Sequence, residues 1–363
     1  MSIQLTAHQE QAKCVALARI IDLHKDCRIG GFAGTGKTTL ISSLVDSIQQ
    51  QQLKVLVMAP TGKAANVLCN KGVAAATIHR TLYEALETVP VSFRLKESID
   101  ADFFIIDESS MISTDLLADI QSFGKPTVFI GDPAQLEPVG DDAKLMHKPD
   151  FVLTEIHRTA AESPILAFAS QLRKSPIHPF AYFNTYKPTD DRLTYRSIKD
   201  IKRSEWMAFD QIIVGKNLTR HKFNQTFRKN PEKVGPSAGD KVICLRNSYP
   251  YGVFNGETFT VISDEFREDE HTRELTFKVR DVNGDEFWVP FWFEYFQDVT
   301  LNHWAMPKTV VHFDFAYAIT CHKSQGSEWD NVAVLDEAFG NPPNRWRYTA
   351  ATRAAKQLTW VRP

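Results

Sequence analysis

A glycine-rich segment near the start of the chain, residues 31–38, has the residue types needed to bind phosphate groups. It reads GFAGTGKT and fits the pattern GxxxxGK[ST] between a predicted strand and a predicted helix. The glycines let backbone N–H groups turn towards an anion, and the start of the helix adds partial positive charge. Lys37 can reach the β- and γ-phosphates of a nucleotide, and the Thr38 hydroxyl can coordinate Mg²⁺. Four neighbours complete the predicted nucleotide-binding set: Gly34, Thr35, Gly36 and Thr39.

Two adjacent carboxylates, Asp107 and Glu108, follow four consecutive apolar residues, Phe103 to Ile106. The apolar run predicts a buried strand that ends where the carboxylates begin. We expect Asp107 to hold Mg²⁺ through water and Glu108 to polarise the attacking water as a general base. Together with the glycine-rich segment, this pair predicts Mg²⁺-dependent hydrolysis of a nucleoside triphosphate.

The elements that must position these groups alternate between helix and strand over the first 150 residues. A capping box formed by Thr6 and Gln9 predicts the start of the first helix. Short apolar strands separated by helices are typical of a parallel sheet covered on both faces. The strands predicted in this part of the chain are residues 28–30, 54–58, 103–106 and 127–130.

A second α/β unit is predicted from about residue 151, with a buried strand at Gln211 to Val214. From residue 239 to 304 the pattern changes, and Asn-Gly pairs at 255–256 and 283–284 are typical of hairpin turns. This region is predicted to form a small β-barrel inserted into the second unit. After it the chain returns to an α/β pattern.

The composition is that of a globular protein, with 43% hydrophobic and 24% charged residues among 363. It excludes a disordered chain, a collagen-like fibre and a disulfide-stapled miniprotein. No apolar run approaches the roughly 20 residues that a membrane-spanning helix needs, and no secretory signal is visible. The five cysteines are scattered and never form a CxxC pair, so we expect reduced thiols and no zinc site. These features predict a cytoplasmic location, which would be the host cytoplasm for a viral protein.

The net charge of −2 hides an uneven distribution. Residues 172–229 contain 13 Lys and Arg against 5 Asp and Glu, a net of +8. Residues 264–298 contain 4 against 11, a net of −7. A basic middle beside acidic neighbours suggests one surface that faces a polyanion, although a solvated charged face explains the pattern equally well.

Seven segments, in order along the chain, resemble the motif series of superfamily 1 DNA helicases, in particular the RecD/Dda-like group of superfamily 1B. They are residues 59–65 (APTGKAA), 77–79 (TIH), 107–111 (DESSM), 131–136 (GDPAQL), 155–158 (EIHR), 318–326 (AITCHKSQG) and 348–354 (YTAATRA). The order and spacing hold from Gln9 to Arg353, which is nearly the whole chain. Any one of these motifs would be a modest signal, but the ordered series makes the resemblance specific.

The resemblance implies an α/β fold with two tandem RecA-like parallel-sheet domains that share ATP and Mg²⁺ in the cleft between them. The first domain would cover residues 1–150, with a short wedge hairpin at about 86–98. The second would cover residues 151–238 and 305–363, and residues 239–304 would form an SH3-like β-barrel accessory domain.

Roles for individual cleft residues follow from the same resemblance. Gln9 would contact the adenine, and Gln135 would sense the γ-phosphate. The implied catalytic residues are Lys37, Glu108, Gln135, Arg158 and Arg353, with the two arginines acting as arginine fingers from the second domain. Gly326 and Glu328 would complete the nucleotide site, with Glu328 near the ribose or supporting the motif around Gly326.

The resemblance also implies movement from 5′ to 3′ on single-stranded DNA. Loops that follow strands of both domains would contact phosphates without reading the base sequence. The implied DNA-binding residues are Pro60, Thr61, Lys63, Thr77, His79, Phe93, Thr320, His322 and Lys323. Phe93 would be the aromatic tip of the wedge, although an ordinary loop with one buried Phe is the alternative.

The predicted function is an ATP-dependent DNA helicase that acts on single-stranded DNA and on junctions of single- and double-stranded DNA. We expect a monomer without membrane contact, with single-strand-binding protein or replication and recombination proteins as candidate partners. Three alternatives stay open: a single-stranded DNA translocase that displaces proteins and unwinds weakly, a nucleotide or small-molecule kinase, and an RNA-directed motor. A kinase would leave Arg158, Arg353 and residues 320–326 without a role.

Overall fold

The computed structural model describes residues 5–86, 92–137, 142–156, 162–174, 179–185, 190–270, 272–281, 284–301, 306–307, 309–338 and 343–363. The strands in them are β1 (Cys27–Gly31), β2 (Val55–Ala59), β3 (Ala75–Thr77), β4 (Tyr83–Leu86), β5 (Ser92–Leu95), β6 (Phe103–Ile106), β7 (Thr127–Gly131), β8 (Phe151–Leu153), β9 (Leu193–Ser197), β10 (Gln211–Val214), β11 (Lys241–Cys244), β12 (Thr258–Val261), β13 (Arg267–Glu268), β14 (Leu275–Arg280), β15 (Glu286–Pro290), β16 (Phe313–Phe315), β17 (Ala318–Thr320), β18 (Trp329–Leu335) and β19 (Ala354–Arg362).

The α-helices in the described residues are α1 (Ala7–Leu17), α2 (Lys37–Gln49), α3 (Gly62–Asn70), α4 (Ile78–Leu82), α5 (Thr114–Ser122), α6 (Pro164–Lys174), α7 (Pro179–Thr185), α8 (Arg203–Ala208), α9 (Asn217–Phe227), α10 (Phe293–Gln297) and α11 (Asn344–Ala351). A π-helical turn, Ala18–Asp22, extends α1. Short 3₁₀ turns occupy Ser109–Met111, Ile198–Asp200, Tyr249–Tyr251 and Cys321–Ser324. No helix of the described residues has both the length and the apolar character needed to cross a bilayer.

Six parallel strands form the first sheet, in the order β3-β2-β6-β7-β1-β8. Alternate residues of its strands enter different cores, since Ile105 packs in a cluster with α1 and α2 and Phe104 packs in a cluster with α4 and α5. Both faces are therefore covered, as a parallel sheet requires. The four strands predicted in this part of the chain, β1, β2, β6 and β7, lie within one residue of their predicted bounds, and the predicted parallel α/β architecture is confirmed.

A second parallel sheet has the order β17-β10-β18-β19-β9. Its largest core cluster contains Phe168 of α6, Trp346 of α11 and Trp360 of β19, which are fully buried. Between β10 and β17, and so within the chain of the second unit, antiparallel strands form a third sheet, β13-β14-β12-β11-β16, with β15 paired to β14. We call residues 5–153 the first lobe, the third sheet from β11 to β16 the insertion, and the described residues from 162 onwards outside the insertion the second lobe.

Two boundaries differ from those expected from sequence. Phe151–Leu153 pairs with β1 in the first sheet, so the first lobe extends past residue 150. Phe313–Phe315 pairs with β11, so the third sheet reaches beyond residue 304. Both strands have three residues, and their sheet membership depends on distant pairing partners rather than on the local pattern.

A two-stranded antiparallel hairpin, β4 with β5, projects from the first lobe after α4. It spans residues 83–95 and therefore begins before the predicted segment of 86–98. Phe93 lies within β5, in register with Ala85, and is not at the tip as the sequence reading expected. The connecting residues 87–91 lie outside the described part of the chain.

The insertion joins the second lobe at a short junction between β16 and β17, and one buried amide holds this junction. Asn224 of α9 donates hydrogen bonds from Nδ2 to the carbonyls of Phe315 (2.7 Å) and Ala318 (3.1 Å). Its Oδ1 accepts the Ala318 N–H at 2.7 Å. All three bonds are intramolecular in a site where Asn224 is 1% exposed, so water does not replace them.

We predict that Asn224→Ala lowers the free energy of unfolding by about 2 kcal/mol or more, because it leaves buried backbone groups without partners. Denaturant or thermal unfolding followed by circular dichroism measures the change. The exposed Asn217→Ala on the same helix is the control and should change stability by less than about 0.5 kcal/mol. Equal stability of the two variants would contradict a structural role of the Asn224 amide.

Candidate active site

A cleft of about 1030 Å³ lies between the first and second lobes. Its walls come from the glycine-rich segment, from α3, from the loops after β6, β7 and β17, and from the start of β19. Most residues predicted for a nucleotide site line it: Gly34, Gly36, Lys37, Thr38, Thr39, Asp107, Glu108, Gln135, Gly326, Glu328 and Arg353. Residues from positions 34 to 353 are thus brought together in one place.

The phosphate loop, residues 31–37, has the backbone geometry of an anion cradle. Gly34 and Gly36 have positive φ angles of 79° and 76°, which glycine adopts without strain. Lys37 Nζ donates a hydrogen bond to the Gly31 carbonyl at 2.9 Å. A Cβ at Gly31 would lie only 2.9 Å from the Lys37 side chain, so glycine is needed where the loop folds over this lysine.

Gln9 supports the phosphate loop from behind. Its Nε2 donates to the carbonyls of Thr35 and Gly36, both at 3.2 Å, and the side chain is 1% exposed. The predicted capping box is also present, because Gln9 Oε1 accepts the Thr6 N–H at 3.0 Å. In this arrangement Gln9 links the start of α1 to the loop that would hold phosphate.

The two acidic residues after β6 lie at the bottom of the cleft. Burial, together with the neighbouring carboxylate of Glu108, raises the pKa of Asp107 to about 6, although Lys37 opposes the shift. Glu108 has a φ of 50°, a left-handed conformation that turns its side chain away from the strand direction. Among the described residues its buried Oε2 has no hydrogen-bond partner. Such a free acceptor in a cleft suits a group that binds water or a metal-bound ligand.

Gln135 and Arg353 face the cleft from opposite lobes. Gln135 is 4% exposed, and its buried Oε1 has no partner in the part of the chain that the structure describes. The Arg353 guanidinium donates to the Thr349 carbonyl at 3.0 Å and to the Ser327 carbonyl at 3.1 Å. These two bonds hold the Arg353 side chain in place within the protein. Arg158, the other predicted arginine, lies outside the described residues.

Lys63 occupies a different environment from the one expected of a DNA contact. Its Nζ lies 3.7 Å from the centre of the Trp329 ring, which belongs to the second lobe. Burial, with Arg353 as a nearby like charge, lowers the pKa of Lys63 to about 8. The lysine therefore bridges the two lobes beside the cleft, and this contact accounts for its position in the structure.

The remaining residues predicted to bind DNA fall into two groups on the two lobes. Thr61 and Thr77 cap α3 and α4 by accepting the N–H groups of Ala64 and Arg80. His79 stacks on Tyr83 with ring centres 5.3 Å apart, and burial lowers its pKa. Pro60 precedes Thr61 in the same loop. The capping roles were not predicted, and they explain why hydroxyl residues occupy these positions.

On the second lobe, Thr320, His322 and Lys323 occupy the end of β17 and the following 3₁₀ turn. Burial lowers the pKa values of His322 and Lys323. Lys323 Nζ donates to Asn255 Oδ1 of the insertion at 2.9 Å. The loops of the two lobes also meet, because a Cβ at Gly326 would lie 3.0 Å from Thr61 Oγ1.

The turn of the insertion around residues 254–257 touches both lobes. Asn255 holds Lys323 of the second lobe, and the Glu257 carboxylate lies so close to Gly62 of the first lobe that a Cβ there would collide with it. Burial raises the pKa of Glu257 to about 7. Sequence reasoning identified this turn from its Asn-Gly pair but did not place it between the lobes.

Three second-lobe residues beside the cleft were missed from sequence. Tyr348 accepts the Ala33 N–H at 2.8 Å and donates to Asp132 at 2.6 Å. The Arg173 guanidinium lies 3.6 Å from the centre of the Phe32 ring in the phosphate loop. Arg345 contacts Glu137 at 2.7 Å. Tyr348 could have been found, because it begins the motif at residues 348–354. Arg173 and Arg345 had no such signal, since contacts across a cleft leave no local sequence pattern.

Comparisons with known proteins agree with this geometry. A family model described as an AAA domain matches residues 5–189, and one described as a UvrD-like helicase C-terminal domain matches residues 315–361. The chain is 27% identical over 359 residues to the ATP-dependent RecD2 DNA helicase of Deinococcus radiodurans, covering 91% of this chain and 46% of that protein. It therefore spans less than half the length of this curated relative.

The chain covers a larger share of a second relative. The chain is 30% identical over 401 residues to the RecBCD enzyme subunit RecD of Mycolicibacterium smegmatis, covering 91% of this chain and 67% of that subunit. The crystal structure of Bacteroides Pif1 bound to ssDNA shares the fold, with a TM-score of 0.60 at 20% identity over 99% of this chain and 92% of that one. From the family models, the RecD relatives and the shared fold, the chain belongs to the superfamily 1B helicases of RecD/Pif1/Dda type.

Proposed function

We propose that the chain is an ATP-dependent DNA helicase that couples ATP hydrolysis to 5′ to 3′ translocation on single-stranded DNA and to duplex unwinding. The observation that carries the proposal is the cleft in which the phosphate loop of one parallel sheet faces Arg353 of another. A kinase with a phosphate loop would not need this second sheet. The RecD2 relative, which is a DNA helicase, favours unwinding over the translocase that displaces proteins.

The donor set of the cleft fits Mg²⁺ and a triphosphate. Thr38 and Asp107 offer a hydroxyl and a carboxylate, the oxygen ligands that Mg²⁺ prefers. When bound, Mg²⁺ would neutralise charge between the β- and γ-phosphates. In the structure, Lys37 Nζ donates a hydrogen bond to the Gly31 carbonyl. With a triphosphate bound, the same ammonium would donate to phosphate oxygens instead.

Hydrolysis would use the two unpartnered acceptors described above. Glu108 Oε2 would take a proton from the attacking water, Gln135 Oε1 would accept a hydrogen bond from the same water, and Gln135 Nε2 would donate to the γ-phosphate from the end of β7. Arg353 would neutralise the charge that develops on the transferred group. Because Arg353 comes from the other lobe, its fit would depend on closure of the cleft.

The strand of DNA would lie across the loops after β2 and β17, which meet at Thr61 and Gly326. Thr61, Thr320 and His322 would contact phosphates without reading bases. Opening and closing of the cleft would change the spacing of these loops and so move the strand.

The β4–β5 hairpin would serve as the wedge, and the insertion would be an SH3-like accessory barrel. We expect the chain to act as a monomer on junctions inside a cell, with single-strand-binding or replication proteins as partners.

Two measurements test the function directly. The ATPase rate should rise when single-stranded DNA is added, and RNA of the same length should have a smaller effect. Duplexes with a 5′ tail should unwind, whereas duplexes with a 3′ tail should not. Turnover that ignores both polymers would contradict the helicase proposal and favour a kinase.

We predict that Lys37→Ala lowers DNA-stimulated ATPase activity at least about 100-fold, because the phosphate loop loses its charge for the γ-phosphate. Phosphate release measures the activity, and circular dichroism checks that the fold is retained. Lys54→Ala, which removes an exposed lysine paired with Asp100, is the control and should stay near wild type. A fully active Lys37→Ala protein would rule out this site.

Phe93→Ala should reduce duplex unwinding more than ATPase activity. Stacking of an aromatic ring on a base contributes about 1–3 kcal/mol, so its loss should slow strand separation about 5-fold or more. Unwinding of a 5′-tailed duplex and ATPase activity are measured on the same preparation. Phe180→Ala, which removes a half-exposed ring of the second lobe, is the matched control. Equal loss of both activities in Phe93→Ala would argue against a wedge.

A further inference from the structure

The hydroxyl of Tyr348 joins three segments around the cleft. It accepts the Ala33 N–H of the phosphate loop at 2.8 Å and donates to Asp132 Oδ2 at 2.6 Å. Tyr348 belongs to α11 of the second lobe, whereas Ala33 and Asp132 belong to the first. Burial, reinforced by the Asp132 carboxylate, raises the pKa of Tyr348 well above its usual value, so the hydroxyl keeps the proton that it donates.

Asp132, the acceptor of this bond, organises the turn that carries Gln135. Its Oδ1 accepts the Ala134 N–H at 2.9 Å, and its carbonyl accepts the Gln135 N–H at 3.3 Å. Asp132 is 1% exposed, so no water competes for these bonds. Fixing the Asp132 carboxylate therefore fixes the backbone from which Gln135 projects into the cleft.

The helix that carries Tyr348 also positions Arg353. Thr349 Oγ1 accepts the Leu136 N–H at 2.8 Å, next to Gln135. The carbonyl of the same threonine accepts the Arg353 guanidinium at 3.0 Å. Gln135 and Arg353, which come from opposite lobes, are thus connected through two consecutive residues of α11.

We propose that Tyr348 is a positioning residue for ATP hydrolysis. Its hydroxyl fixes the phosphate loop and the Gln135 turn against α11, so that Gln135 and Arg353 face the same γ-phosphate. This inference rests on the proposed ATPase activity of the cleft. Because the hydroxyl contacts protein groups on both sides, its removal should impair the hydrolysis step more than the binding of ATP or of DNA.

Tyr348→Phe tests the proposal, since it removes the hydroxyl and keeps the ring in the core. We expect kcat for ATP hydrolysis to fall about 10- to 100-fold, as for loss of a hydrogen bond to a charged group. The KM for ATP and the Kd for single-stranded DNA should change less than about 3-fold. A folded Tyr348→Phe protein with wild-type kcat would overturn the inference.

Tyr317→Phe is the matched control, because Tyr317 also donates a hydrogen bond to a carboxylate, Asp240 Oδ1, at 2.7 Å. That bond joins Tyr317, just before β17, to Asp240, just before β11, and neither residue lines the cleft. Its loss should lower stability but leave kcat within about 2-fold of wild type. An equal fall of kcat in both variants would show a merely structural effect and would overturn the assignment.

Asp132→Asn gives a second route that does not depend on the folding of Tyr348→Phe. The amide keeps the size of the side chain and weakens the charged bond, so kcat should fall with little change in the KM for ATP. The double variant should be no slower than the slower single variant if both act through one bond. Additive losses would overturn the shared role.

Wild-type protein without ATPase activity would refute the proposed function, whereas an active wild type with an unaffected Tyr348→Phe would refute this inference alone.

Discussion

Two neighbouring carboxylates at the end of β6 are the constraint around which the cleft is arranged. The first lobe places Asp107 and Glu108 together, and burial with this mutual repulsion already raises the pKa of Asp107 to about 6. A triphosphate would add more negative charge at the same place. Within the first lobe, Lys37 and Lys71 oppose this rise in the pKa of Asp107, and Arg353 adds a further cation to the cleft from the second lobe.

Bringing a second surface to the cleft requires that both lobes hold their contacts precisely. The structure achieves this with buried side chains that cross from one lobe to the other, such as Tyr348 on Asp132 and Lys63 on Trp329. The Lys63 contact lies next to the Thr61 loop that would carry DNA, and Gly326 of the other lobe packs close to the Thr61 hydroxyl. A change in the cleft would therefore reach these loops through a few packed groups.

Sequence reasoning succeeded where chemistry is local. Short sequence patterns predicted the phosphate loop, the carboxylate pair after β6 and four strands of the first sheet. Each of these patterns depends only on the burial and turn preferences of neighbouring residues. It failed for features that depend on a pairing or packing partner far away in the sequence. The positions of β8 and β16 depend on pairing with β1 and β11, and the placement of Lys63 over Trp329 depends on how two lobes meet. The wedge assignment placed Phe93 at a tip, whereas pairing with Ala85 places it in a strand. Arg158 lies outside the described residues, so its role stays a prediction.

The junction between β16 and β17 has a mechanical consequence. Only Ala316 and Tyr317 separate a strand of the insertion from a strand of the second lobe, and Asn224 ties both ends to α9. This short connection, held by Asn224, ties the insertion closely to the second lobe. A rotation of the second lobe would therefore carry the insertion with it and displace the turn in which Glu257 lies against Gly62 of the first lobe.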